Sequence, residues 1–119
     1  MNWPNGKVMA VCLTWDVDGE SAQYFRFPDR ARNQLSELHQ RLFGPQVGVW
    51  RVLRMLEKHG VPGTFYIPSF TAMMHPEVVK AFVSAGYPVG LHGHMHEAVE
   101  LLDEQQENEV MRISKEILS

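Results

Sequence analysis

An α/β fold of parallel strands joined by crossover helices is predicted by three observations. Short apolar or aromatic runs end near residues 14, 67 and 92, helix-period patterns occupy the intervals between them, and Gly or Pro punctuates the junctions. Strands that alternate with helices across short connections pair in parallel, through right-handed crossovers. With 119 residues the chain is read as a single domain over 1–119. A complete parallel α/β barrel takes roughly 250 residues, so barrel geometry here is expected to be partial.

Residues 7–14 are the first predicted strand, because an unbroken apolar run followed by Asp and Gly suits a strand buried on both faces. Cys12 lies in that run and is expected to pack as a small hydrophobe; as the single cysteine it has no internal disulfide partner. Residues 15–47 read as a long connection broken at Gly19, Pro28, Gly44 and Pro45, with a short helix over 31–42 carrying Leu35, Leu38 and Leu42 inward. Val49, Val52, Leu53 and Leu56 repeat at helical spacing, and Gly60 supplies the left-handed residue that closes that helix. Residues 64–67 follow a Pro-Gly turn as a second strand. Pro76 opens the next helix, Val78, Val79, Phe82 and Val83 give it an apolar face, and Gly86 ends it. Residues 89–92 form the third strand. Asp103 and Gln106 then make a capping box for a last helix with Val110, Ile113 and Ile117 as its buried stripe.

Composition excludes several function classes. The chain is 45% hydrophobic and 21% charged with a net charge of −3, the balance of a globular unit rather than a disordered tail. Residues 1–96 hold 9 basic and 7 acidic side chains, and residues 97–119 hold 2 and 7, so the last helix presents an acidic, solvated face. No basic stripe is available to follow a phosphate backbone, which argues against nucleic acid as a partner. No apolar run approaches the roughly 20 residues of a membrane span, and the start lacks the pattern of a secretory leader. A cytoplasmic location is expected.

Two polar clusters follow strands: Trp15-Asp16-Val17-Asp18-Gly19-Glu20 after the first and His92-Gly93-His94-Met95-His96-Glu97 after the third. In parallel α/β folds the C-terminal ends of strands share one face, where ligands and catalytic groups collect. One carboxylate and two imidazoles, from Asp18, His92 and His96, make a three-donor set for a divalent ion with a position left for water. The four-residue spacing lets His92 and His96 reach one ion if the segment turns helically, with His94 pointing elsewhere. Asp16 stays free, and a carboxylate beside such an ion can take a proton from water. Hydrolysis of an amide is the natural reaction class.

Plainer readings stand beside this one. An Asp-x-Asp-Gly after a strand can be a simple turn, and a His-x-His-x-His tract also binds metal nonspecifically. Glu20 and Glu97 either orient the ligands or are solvated charges. His39, His59 and His75 have no second ligand near them in sequence and read as structural.

The two clusters resemble the two leading motifs of the polysaccharide deacetylase (NodB homology) family: residues 13–20 are similar to the first and residues 92–97 to the second. Residues 43–49, the helix to Gly60, the strand at 63–68 and the run from His75 to Gly86 are similar to the family's pattern in between. The resemblance implies a partial (β/α) barrel, with Asp16 as catalytic base and Asp18, His92 and His96 as metal ligands; Glu20, His94 and Glu97 are candidates to orient those ligands by their place in the two clusters, not by the resemblance. Zinc is the implied ion, although other divalent metals serve family members. The implied reaction removes an acetyl group from an N-acetylated sugar in a polysaccharide such as peptidoglycan or chitin, through an oxyanion held by the ion.

Two departures bear on that reading. Val17 separates aspartates that are adjacent in the commonest form of the first motif, as in the branch holding peptidoglycan-deacetylase-like and allantoinase-like members. Some of that branch hydrolyse small cyclic amides, and some work without metal. The family's later motifs, which supply an arginine and a histidine that protonates the leaving group, have no match after Glu97. The chain is therefore expected to be inactive alone, as a fragment or a degenerate copy. Uncovered sheet edges would favour self-association, or a role as a non-catalytic assembly module.

Overall fold

The computed structural model describes residues 3–119. Three strands, β1 (Thr14–Asp16), β2 (Thr64–Ile67) and β3 (Val89–Leu91), form one open parallel sheet in the order β1-β2-β3. Asp16 is in register with Tyr66, and Tyr66 with Gly90. The helices are α1 (Ser21–Arg26), α2 (Leu35–Phe43), α3 (Val49–His59), α4 (Ser69–Met74), α5 (Pro76–Ser84) and α6 (Glu104–Leu118). The parallel βαβαβ frame is thus as the alternating pattern predicts, and its open sheet is part of a (β/α) barrel.

The core lies on one face of the sheet because β2 alternates. Phe65 and Ile67 are buried on that face against Leu53 and Leu56 of α3 and Val78 and Phe82 of α5. The Phe65 ring is stacked on Phe82 at 3.9 Å between centroids and on Trp15 at 5.5 Å, while Tyr87 meets it edge-on. α3 ends as its spacing requires: Gly60 takes φ +60°, and its N–H donates to the helix's last carbonyls. Removing the side chain at this position makes the left-handed turn free of Cβ strain.

Several boundaries differ from the sequence reading. The first strand is confined to Thr14–Asp16, and residues 8–13 are exposed, Val8 to 85%. Among the described residues only the four-residue β2 flanks β1, and pairing between the two ends at Leu13, whose carbonyl accepts from Thr64. Cys12 is accordingly exposed rather than packed. The helix expected over 31–42 is split into a 3₁₀ turn (Ala31–Asn33) and α2; Leu38 is buried, Leu42 half-buried and Leu35 exposed. Gly44 and Pro45 do not break the chain. Residues Gly44–Gly48 form a π turn that carries α2 into α3, with the Val49 N–H donating to the Gly44 carbonyl. The wider turn accommodates Pro45, which has no N–H for the ordinary helical ladder. Val83, expected on the apolar face of α5, is exposed.

α6 begins at a capping box, with Asp103 accepting from the Gln106 N–H and the Gln106 side chain accepting from the Asp103 N–H. Its exposed face carries Arg112, whose hydrogen bonds hold the Glu109 carboxyl below the usual carboxylate range. Val110, Ile113 and Ile117 are half-buried as the helix packs against α4 and β3, and Ser114 is its one fully buried residue. No helix among the described residues is long and apolar enough to cross a membrane.

Candidate functional site

Residues 17–20 leave the end of β1 and residues 92–97 leave the end of β3, so parallel pairing through β2 brings both loops to one edge of the sheet. Asp18, His92 and His96 meet there. The Asp18 carboxylate stands 3.5 Å from His92 Nε2 through Oδ1 and 3.6 Å from His96 Nε2 through Oδ2. One donor atom from each of the three lies within 4.8 Å of the others.

These separations decide what the cluster fits. Metal–ligand bonds of about 2.1 Å in a tetrahedral site put neighbouring donor atoms about 3.4 Å apart. Asp18 Oδ1 is also buried without any hydrogen-bond partner, an arrangement that leaves a polar atom desolvated unless something else satisfies it. The carboxylate and two imidazoles are the donor types of a divalent ion such as zinc, and the residues present fit one.

The His92–His96 approach has a different cause from the one the spacing implies. The segment is not helical; Gly93 at φ +73° and His96 at φ +57° fold it into a tight loop, with the two imidazole rings 4.9 Å apart and nearly perpendicular. A left-handed histidine is uncommon and persists where surrounding contacts impose it. Glu97 supplies them, accepting from the backbone N–H groups of His94 and Met95 at 2.9 and 2.8 Å. Gly93 suits its position because φ +73° strains any residue with a side chain, and a Cβ there would also push on Glu97 Oε2, 2.6 Å away. His94 points to neither ring: its Nδ1 hydrogen-bonds Ser69 Oγ at 2.7 Å.

Asp16 is exposed at the end of β1, and it lines a depression of about 200 Å³ together with Asp18, Gly48 and Val52. Glu20 is engaged elsewhere. It is buried in a pair with His75, whose Nε2 is 3.2 Å from both carboxylate oxygens. His75, read from sequence as structural, is held by a hydrogen-bond partner 55 residues away, which no local pattern could have shown. His39 and His59 are exposed.

The sequence model of the polysaccharide deacetylase family matches residues 43–119, more than half of the chain. The chain belongs to the polysaccharide deacetylase family. His92 and His96 lie inside the matched segment, whereas Asp16 and Asp18 precede it and are brought to the same edge by β1. A peptidoglycan deacetylase-like protein of Gibberella zeae is 35% identical over 103 residues, covering 85% of this chain and 30% of the relative. The peptidoglycan deacetylase of Helicobacter pylori is 32% identical over 82 residues, covering 69% of this chain and 28% of its own.

Solved structures agree with this family member's fold. A Mycobacterium smegmatis protein described as a polysaccharide deacetylase superposes with a TM-score of 0.94 at 36% identity, over 99% of this chain and 41% of that one. An allantoinase superposes with a TM-score of 0.85 at 23% identity, over 98% of this chain and 44% of its own, a likeness of fold. The chain spans about 30% of the length of the curated relatives above.

Ser69 and Thr71 were missed by sequence reasoning. Thr71 Oγ1 donates to the Asp18 carbonyl, and Ser69 touches His94. Both sit on α4 in an ordinary apolar helix pattern, where a buried hydroxyl carries no sequence signal.

Proposed function

We propose that this chain forms the ion-holding and proton-accepting part of a hydrolase that removes the acetyl group from an N-acetylated sugar in a polysaccharide. The observation that carries the reading is the Asp18–His92–His96 cluster with its unsatisfied Asp18 oxygen, beside the free carboxylate of Asp16. The relatives at 35% and 36% identity are described as deacetylases, which favours an acetylated saccharide over the small cyclic amide of an allantoinase, whose likeness at 23% concerns the fold.

A divalent ion, zinc by the character of the donors, would when bound polarise the amide carbonyl and lower the pKa of water towards about 7. Asp18 would hold it with one carboxylate oxygen and His92 and His96 with Nε2. Asp16 accepts the proton as water's oxygen bonds to the carbonyl carbon. The C–N bond then breaks, giving acetate and an amine that takes up a proton. No residue of this chain is assigned as the donor of that proton. Low acetate release is therefore the expected behaviour of the 119-residue chain by itself.

Titration of the chain with Zn²⁺ by calorimetry tests the site. One equivalent is expected to bind, and Asp18→Ala or His96→Ala to weaken it by more than the 10- to 100-fold typical of losing a residue that only orients a ligand. Undiminished stoichiometric binding in either variant would remove the proposed centre. Acetate release from acetylated chitooligosaccharides, compared with hydrolysis of allantoin, separates the two substrate classes.

A further inference from the structure

The two arms of the site come from loops more than seventy residues apart, yet the single six-residue helix α4 touches both. On one side, Thr71 Oγ1 donates to the carbonyl oxygen of Asp18, and Gly19 is pressed so closely that a Cβ on it would lie 2.8 Å from Thr71 Cγ2. On the other, the N–H groups of Ser69 and Phe70 donate to the carbonyls of Gly93 and His94 at 3.1 and 2.9 Å, and Ser69 Oγ meets His94 Nδ1. Ser69 and Thr71 are both completely buried. Behind them, Ser69 Oγ lies 3.4 Å from the buried Ser114 Oγ of α6.

A hydroxyl in that position does two things. It adds a donor from outside the loop to the Asp18 carbonyl, which Ser21 already reaches through its N–H and Oγ, and it sets the distance of the Asp18 backbone from the helix. Because α4 holds both loops, the separation between the Asp18 carboxylate and the two imidazoles depends on one rigid body rather than on two independent loops. Groups that orient ligands in this way govern metal affinity without touching the ion.

We propose that α4 is a bracket that sets the separation of the two arms, with Thr71 and Ser69 as its positioning residues. The inference rests on the reading of Asp18, His92 and His96 as an ion site.

Co²⁺ titration of the full chain, followed by visible absorption, tests it alongside thermal melting of the metal-free protein. Thr71→Val keeps the shape and deletes the hydroxyl; it should weaken Co²⁺ about 10- to 100-fold and alter the absorption band, while Thr71→Ser restores affinity to within about threefold. Ser69→Ala probes the other arm by the same readout and carries the test should Thr71→Val not fold. Val78→Ala, in the core under α5, should lower the melting temperature and leave affinity unchanged, which separates positioning from general destabilisation. If the unmodified chain binds no Co²⁺, or if binding survives Asp18→Ala, the ion site itself is wrong and the bracket falls with it. If the unmodified chain binds at the triad and Thr71→Val and Ser69→Ala bind as tightly with the same spectrum, the bracket alone is overturned.

Discussion

Gly90 has no side chain because Tyr66 of the neighbouring strand lies across it: a Cβ there would stand 2.5 Å from the ring. That pair sits on the sheet face opposite the core, in the row that Asp16 ends. Gly90→Ala is expected to displace the ring and destabilise the fold by about 1–3 kcal/mol, the usual cost of overpacking. Urea unfolding measures it, and an unchanged midpoint would mean that the ring swings aside freely. His96 shows the same dependence of one residue on its neighbours. Its left-handed backbone is held by Glu97, so the carboxylate three places beyond His94 shapes the loop by accepting from backbone rather than by touching either imidazole.

At the scale of elements, local signals and long-range contacts divide the work. The start of α6 is local: Asp103 and Gln106 satisfy each other's backbone N–H groups, so Asp103→Ala should cost about 1 kcal/mol and shorten the helix. Far-ultraviolet circular dichroism with thermal melting checks this, and an unaltered melt would show that packing on α4 and β3 holds the helix without the cap. The end of α3 at Gly60 is equally local. The junction of α2 and α3 is not, because Gly44 and Pro45 read as a break yet continue as a π turn. Pro45 is fully buried there, and packing against neighbouring elements outweighs its poor helical propensity.

At the largest scale, the open sheet leaves one side of β1 without a partner strand among the described residues, and the exposed apolar residues Val8, Met9, Val11 and Leu13 lie just before it. Exposed apolar backbone of this kind favours association between chains. Sedimentation velocity should show concentration-dependent self-association that Val11→Lys diminishes; a monomer across the range would refute it. The chain's 99% coverage by a structure of which it makes up 41% gives this surface its context: relatives of greater length share this frame.

The alternation of apolar runs, the glycine at 60, the capping box at 103 and the two polar clusters were legible in the amino-acid order, because each depends on residues within a few positions of one another. So were the α/β class and the candidate donors Asp18, His92 and His96. What only the folded chain decided was where the first strand begins, that Glu20 pairs with His75, and that α4 links both loops through Ser69 and Thr71. Those outcomes turn on which groups are buried together across 25 to 55 residues of chain, and burial is a property of packed surfaces that no local spacing encodes.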